Sequence, residues 1–95
     1  GFIALPGGFG TFEEFCEILT WGQLGFHVKP MGLLNVRGFY DPLLTLFDHA
    51  VGEGFLRAQN RAMVLADTDI EQLLVRMADY QAEPVSKWLK GSSEL

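Results

Sequence analysis

The sequence predicts an α/β domain built on a parallel β-sheet with flanking helices. Three short apolar runs, at residues 2–5, 31–36 and 62–66, have the length and composition of buried strands. Each run is followed by a longer segment whose apolar residues recur at helical spacing. The strands are separated by about 26 residues, a natural length for the crossover connections of a parallel sheet.

The first helix is predicted to begin at a T-x-x-E capping box formed by Thr11 and Glu14. Gly25 is a suitable stop signal. Cys16 lies among apolar residues and is interpreted as core filling. The apolar stripe and the residues that widen it are Phe12, Phe15, Cys16, Leu19 and Phe26, with Ile18 and Trp21.

The second helix is expected to start at or after Pro42, because Asp-Pro pairs favour turns and helix starts. Its apolar residues are Leu43, Phe47, Ala50, Val51 and Phe55, and Gly52 and Gly54 weaken its last turn. The third helix has Asp67, Thr68 and Asp69 as candidate caps. Its apolar face contains Ile70, Leu73, Leu74, Met77 and Tyr80.

Composition limits the possible classes of protein. The chain has 95 residues, of which 48% are hydrophobic and 20% are charged, so it is one globular domain or part of one. The net charge of −5 and the scattered cations argue against nucleic-acid binding. The single cysteine excludes an internal disulfide and favours a cytoplasmic setting. No apolar run approaches the roughly 18–20 residues of a membrane span, so no membrane partner is expected.

The chain opens on an apolar run without a Met, which indicates a truncated domain. Residues 1–82 are predicted to form a partial α/β domain. Residues 83–95, where the helical pattern has faded and Pro84 interrupts it, are predicted to be a C-terminal tail.

One segment combines a buried strand, a glycine-rich turn and a helix start: Leu5-Pro6-Gly7-Gly8-Phe9-Gly10-Thr11-Phe12-Glu13-Glu14. Open α/β sheets bind ligands at such strand-to-helix junctions. Glycine tolerates a positive φ and allows close approach, so successive N–H groups can form an anion nest at the helix N-terminus. A glycine-rich turn that only reverses the chain is the alternative explanation.

The same segment resembles the P-G-G-x-G-T-x-x-E signature of the LOG (Lonely Guy) family and matches every fixed position of it. The matching residues are Pro6, Gly7, Gly8, Gly10, Thr11 and Glu14. Residues 20–25 and 29–36 also look like the family's next helix end and strand, and the resemblance extends to about Tyr80.

The resemblance implies the C-terminal half of a Rossmann-like domain, usually dimeric. It further implies hydrolysis of the N-glycosidic bond of a cytokinin or purine riboside 5'-monophosphate, giving free base and ribose 5-phosphate. The substrate would be AMP or a cytokinin riboside monophosphate, held by its phosphate on Gly7, Gly8, Phe9, Gly10 and Thr11. Neither a cofactor nor a metal is implied.

Glu14 is the catalytic candidate, because the resemblance places it at the ribose. A fixed carboxylate there can stabilise the positive charge that develops on the sugar or orient the attacking water, and both roles stay open. Capping the first helix is its alternative role. Glu13 points about 100 degrees away on a helix and is interpreted as a solvated partner of the helix dipole.

The remaining polar residues carry weaker signals. His27 and His49 lack metal-ligand spacing, so a zinc site is not expected. Asn35 and the loop at residues 37–40 follow the second strand and either reach the edge of the site or form an ordinary polar loop.

The label of lysine decarboxylase that many relatives carry would require a Schiff-base lysine. Lys29, Lys87 and Lys90 lie instead in predicted loop or tail segments.

Complete members of the family also have an upstream glycine-rich segment and an Arg-Lys motif, which these residues do not include. The fragment alone is therefore expected to be inactive. A non-catalytic nucleotide-binding or dimerisation module of the same fold is the alternative. The aromatic face of the helix predicted at residues 11–26 suggests a homodimer contact.

Overall fold

The computed structural model describes residues 1–25 and 29–80, and the predicted α/β class is confirmed. The three strands are parallel and lie in the order β1-β2-β3. The strands are β1 (Phe2–Ala4), β2 (Met31–Leu34) and β3 (Val64–Asp67). The helices are α1 (Phe9–Gln23), α2 (Asp41–Gly52), α3 (Ala58–Arg61) and α4 (Ile70–Asp79).

The two faces of the sheet are covered by different helices. Phe2 pairs in register with Met31, and its ring centroid lies 6.3 Å from that of Phe15 in α1. Gly32 points to the opposite face, where an added Cβ would lie 2.7 Å from the Met77 sulfur of α4. Glycine at this position therefore lets α4 pack closely on the sheet.

The core lies mainly between the sheet and α1. Its fully buried members include Phe15, Met31 and Leu33, and Tyr40 joins them from the loop after β2. Phe12, Ile18 and Leu19 pack against this cluster, as the predicted apolar stripe requires. Cys16 does not, because it is exposed, so its interpretation as core filling was wrong.

Several predicted boundaries are corrected by the structure. The third strand begins at Val64, because Met63 belongs to the turn that ends α3, a short helix that the pattern did not predict. Phe55 lies beyond the end of α2 and is 85% exposed. α2 begins at Asp41, one residue before the predicted start, and Pro42 lies in its first turn. Predictions for Phe26, His27 and residues 83–95 fall outside the described residues.

α1 ends at Gln23, earlier than the predicted helix over residues 11–26, but Gly25 is the stop signal as predicted. Gly25 has a φ of 89° just after the helix, and its amide donates to the Gly22 carbonyl. Among the described residues, no helix is both long and apolar enough to cross a membrane.

Candidate functional site

The candidate site lies at the carboxyl edge of the parallel sheet, where the segments after all three strands meet. After β1 the chain passes through the Pro6 loop, residues 5–8, and enters α1 at Phe9. The first hydrogen bond of α1 runs from the Phe12 amide to the Gly8 carbonyl, at 3.1 Å. The amides of Phe9, Gly10 and Thr11 precede that bond and have no partner within the helix.

The predicted capping box is absent from α1. The helix starts two residues before Thr11, with Gly8 as the N-cap residue and no side-chain cap. Thr11 and Glu14 therefore lie inside the helix. The physical reason is that glycine is itself an acceptable N-cap residue, so the helix extends back over Phe9 and Gly10. As a result, this helix end is not closed by a side chain of its own.

The three glycines of the motif have two different structural roles. A Cβ on Gly7 would collide with Oγ1 of Thr11 and lie 3.0 Å from its Cβ, so glycine is required there for packing. Added Cβ atoms on Gly8 and Gly10 would meet nothing within 4 Å. The space in front of the first turn of α1 is thus open.

The predicted reason for these glycines is only partly correct. Positive φ angles occur among the described glycines at Gly25, Gly38 and Gly54, and the motif glycines do not adopt them. Gly8, for example, has a φ of −110°. The motif therefore allows close approach to ordinary helix N–H groups and is not a left-handed nest.

Glu14 is exposed one turn into α1. It follows Gly10 and Thr11 by four and three residues, which places all three on one face of the helix. Because side chains in a helix tilt toward its N-terminus, Glu14 lies behind the open first turn on that face. Glu13 is also exposed, and it follows Phe9 and Gly10 by four and three residues, about 100° around the helix from Glu14.

The loop after β2 is fastened to the Pro6 loop. The Tyr40 hydroxyl donates a 2.5 Å hydrogen bond to the Leu5 carbonyl, which directly precedes Pro6. Burial raises the pKa of Tyr40, which further favours the protonated hydroxyl that donates this bond. The predicted proximity of residues 37–40 to the site is therefore present in the structure.

Asn35 does not extend into the site. Its Oδ1 accepts the Tyr40 amide at 2.7 Å, and its Nδ2 donates to the Asp41 carboxylate at 2.8 Å. With both ends of the amide engaged and only 9% of the residue exposed, Asn35 holds the loop in shape. The alternative of an ordinary structural loop residue fits Asn35 better than a direct role in binding.

Two features beside the loop were missed by sequence reasoning. Phe9 is 91% exposed, and Phe12 lies between it and Phe39 with ring centroids 6.4 Å apart on each side. Phe39 is itself 44% exposed, so an aromatic surface borders the open helix end. Arg37 has a φ of 53°, a left-handed conformation that the sequence alone does not reveal.

Other candidate residues lie apart from this edge. Lys29 is exposed just before β2, at the amino edge of the sheet, where it is badly placed to serve as a Schiff-base lysine beside the Pro6 loop. Although Cys16 is exposed at the surface, desolvation by the atoms around its thiol raises the pKa of Cys16 and disfavours a nucleophilic thiolate. In residues 1–25 and 29–80 no cluster of potential metal ligands is found.

A cavity of about 320 Å³ lies away from the candidate site, between α1, α2 and α3. Its lining includes Cys16 and Gln23 from the later turns of α1 and Val64 at the amino end of β3. The cavity therefore faces the amino edge of the sheet. It is mostly apolar and lacks the open helix end that an anion needs.

Comparison with known proteins identifies the family to which the chain belongs. A cytokinin riboside 5'-monophosphate phosphoribohydrolase of Arabidopsis thaliana, LOG2, is 56% identical over 79 residues, which are 83% of this chain and 37% of the relative. The LOG protein of Oryza sativa subsp. japonica is 50% identical over 82 residues, 86% of this chain and 34% of the relative. A family model described as possible lysine decarboxylase matches residues 1–77. The chain belongs to the LOG family.

The family match, over residues 1–77, includes the Pro6 loop, α1 and the loop after β2. The chain spans less than half the length of the curated relatives it matches, 37% and 34% for the two proteins above. The resemblance drawn from the P-G-G-x-G-T-x-x-E signature is confirmed.

Proposed function

We propose that the full-length protein hydrolyses the N-glycosidic bond of a cytokinin or purine riboside 5'-monophosphate. Water adds to the anomeric carbon as the carbon–nitrogen bond breaks, which gives the free base and ribose 5-phosphate. The names of the relatives support this reaction class. The observation that carries the proposal is an uncapped helix end with open space in front of Gly8 and Gly10, and with Glu14 one turn behind.

The phosphate is assigned to residues 7–11. Amides at the start of α1 point out of the helix and carry the positive end of its dipole, so they favour an anion despite the net charge of −5. Gly8 and Gly10 leave room for phosphate oxygens, and Gly7 allows Thr11 to pack against the loop. The Thr11 hydroxyl is a further candidate donor to the same oxygens.

Glu14 is assigned to the sugar. With the phosphate on the first turn, a ribose lying along the same face of α1 comes next to a residue one turn further on. A carboxylate in that position stabilises the positive charge of an oxocarbenium-like transition state or orients water, and both roles remain compatible with the geometry.

The assembly is proposed to be a homodimer in the cytoplasm. Trp21 is 56% exposed near the end of α1, and Leu46 and Phe55 are 59% and 85% exposed at the rim of the apolar cavity. Most of the other α1 aromatics face the core, so the dimer contact would use this outer rim. A monomeric mass for the full-length protein at micromolar concentration would contradict this part of the proposal.

The reaction is tested by incubating the full-length protein and this 95-residue chain with AMP and with isopentenyladenosine monophosphate. Chromatography should show base release by the full-length protein and none by the fragment, because correct positioning supplies ~7 kcal/mol or more of barrier lowering. A folded full-length protein that binds nucleotide without releasing base would favour the non-catalytic binding module.

Glu14→Gln in the full-length protein tests the assigned carboxylate. We expect kcat to fall about 100-fold or more, because the fixed negative charge at the sugar is lost. Stability should change little, since Glu14 makes no capping bond in α1. Glu13→Gln is the matched control, with the same charge change one residue out of register. A stable Glu14→Gln protein with normal turnover would reduce Glu14 to a solvent-exposed helix residue.

A further inference from the structure

In the turn after β2, Arg37 has a left-handed backbone conformation, which arginine rarely adopts. In this Arg37 turn, residues 36–39, the Phe39 amide donates to the Val36 carbonyl at 2.9 Å. Arg37 has φ 53° and ψ 33°, and Gly38 has φ 72°. Two successive left-handed residues match the pattern in which Gly, Asn and Asp predominate. Arginine at the first position therefore strains the backbone, and such strain is characteristic of functional sites.

The Arg37 turn borders the Pro6 loop. The Phe39 ring stacks on Phe12 of α1, and the Tyr40 hydroxyl is bonded to the Leu5 carbonyl. Arg37 therefore lies on the same edge of the sheet as the open first turn of α1. It precedes Phe39, whose ring contacts that helix, by two residues.

Arg37 also differs from the other described lysines and arginines in its partners. Arg61 pairs with Asp48, and Arg76 donates to the Ala66 carbonyl and pairs with Asp67. Lys29 and Arg57 also make contacts with other groups. Within residues 1–25 and 29–80, Arg37 is the one Lys or Arg for which the structure shows no hydrogen bond or ion pair.

Asp41, the acidic residue nearest to Arg37 in the sequence, does not form an ion pair with it. Asp41 is held by the Asn35 amide, and its Oδ2 lies 2.7 Å from the position of a Cβ on Gly38. Glu13 and Glu14 add negative charge to the neighbouring helix. An anion approaching the open turn of α1 therefore meets repulsion that an exposed arginine on this edge would offset.

We propose that Arg37 binds the 5'-phosphate of the nucleotide, adding a charged donor to the amides at the start of α1. This inference rests on the proposed function, because it takes the phosphate to lie on that helix end. The guanidinium offers paired N–H donors that suit phosphate oxygens. The strained turn would then be retained because it places this cation beside the Pro6 loop.

The test compares Arg37→Asn, Arg37→Lys and Lys29→Asn in the full-length protein. Asparagine tolerates the left-handed conformation, so Arg37→Asn removes the charge while keeping the turn. Lys29→Asn removes one positive charge at the opposite edge of the sheet. Calorimetry gives the affinity for ribose 5-phosphate and for inorganic phosphate, chromatography gives KM and kcat with AMP, and thermal unfolding gives Tm.

We expect Arg37→Asn to weaken ribose 5-phosphate binding and raise KM by about ten-fold or more. Its Tm should be unchanged or higher, because the strain is relieved. Arg37→Lys should recover part of the affinity, and Lys29→Asn should match the unmodified protein. The loss should shrink at high ionic strength, where an exposed charge is screened.

The inference is overturned if Arg37→Asn binds ribose 5-phosphate normally, or if Lys29→Asn loses as much affinity. It is also overturned if Arg37→Asn lowers Tm and Arg37→Lys fails to recover affinity at a normal Tm. The proposed function fails separately, if the unmodified protein releases no base. The two phosphate-binding measurements still test Arg37 in that case, because they do not depend on turnover.

Discussion

The starts of α1 and α4 lie on the same edge of the sheet, but they differ in how their free amides are satisfied. In α4, Asp69 accepts the Glu71 amide at 2.9 Å, and Asp67 accepts the Asp69 amide at 3.0 Å. In α1, Gly8 offers no side chain. The protein's own carboxylates therefore occupy the start of α4, whereas no side-chain cap occupies the start of α1, where the phosphate is proposed to bind.

Acidic residues strengthen the contrast. The first turn of α4 contains Glu71, whereas the first turn of α1 contains no acidic residue. In both helices the first backbone hydrogen bond runs to the carbonyl of the N-cap residue, Gly8 in α1 and Asp69 in α4, but only Asp69 also caps with its side chain. The first-turn amides of α1 are available to a ligand because no side chain of the protein caps them.

Gly8→Asp is expected to have the largest effect, because it gives α1 the cap that α4 has. The new carboxylate has open space around it, can accept the first-turn amides and repels phosphate. Nucleotide binding should be lost in calorimetry, while the free energy of unfolding rises by a few tenths of a kcal/mol.

Gly8→Asn is the control that separates the effect of the added negative charge from the effect of filling the space in front of α1. It supplies a neutral cap of nearly the same size, so it should weaken nucleotide binding less than Gly8→Asp does. Unchanged affinity in a folded Gly8→Asp protein would mean that the phosphate binds elsewhere.

The comparison also shows where sequence reasoning succeeds. Asp69 caps α4 and was one of the three predicted candidates, because Asp or Thr just before an apolar helical pattern is a strong local signal. The same kind of signal failed at Thr11 and Glu14, because a T-x-x-E pattern does not reveal that Gly8 can start the helix earlier. Local patterns identify candidate caps, but competition between neighbouring starts decides which one is used.

The site itself was only partly predictable. The Gly7 to Thr11 segment and Glu14 follow from a continuous motif. The bond between Tyr40 and the Leu5 carbonyl joins residues 35 positions apart. Such a contact depends on the parallel pairing of β1 and β2, so no local pattern reports it. The left-handed conformation of Arg37 is equally invisible, since arginine rarely adopts it.

Two alanine substitutions in the motif, Gly7→Ala in the Pro6 loop and Gly10→Ala in the first turn of α1, should distinguish a glycine needed for packing from one that leaves open space. A methyl group on Gly7 collides with Thr11, so Gly7→Ala should lower the free energy of unfolding by about 1–3 kcal/mol. The same change at Gly10 meets open space inside a helix and should raise stability by roughly 0.5–1 kcal/mol.

Urea denaturation of both variants measures these changes, and calorimetry then reports nucleotide binding. Gly10→Ala is expected to bind nucleotide more weakly despite its higher stability, because the methyl group enters the space assigned to phosphate. Equal stability of the two variants would contradict the division between a packed and an open glycine.

The smallest expected effect concerns the closed helix end, where Asp67 should make stability depend on pH. The hydrogen bond from the Asp69 amide lowers the pKa of Asp67, with a further contribution from Arg76. A carboxyl whose pKa is lower in the folded state stabilises the fold above its unfolded pKa, near 3.9, and loses that contribution as the pH falls through the folded value. Asp67→Asn retains an oxygen acceptor for the Asp69 amide but does not titrate. Urea midpoints measured between pH 7 and pH 2.5 should therefore fall less steeply in Asp67→Asn than in the unmodified protein. Parallel curves would show that the Asp67 charge does not contribute to stability at the start of α4.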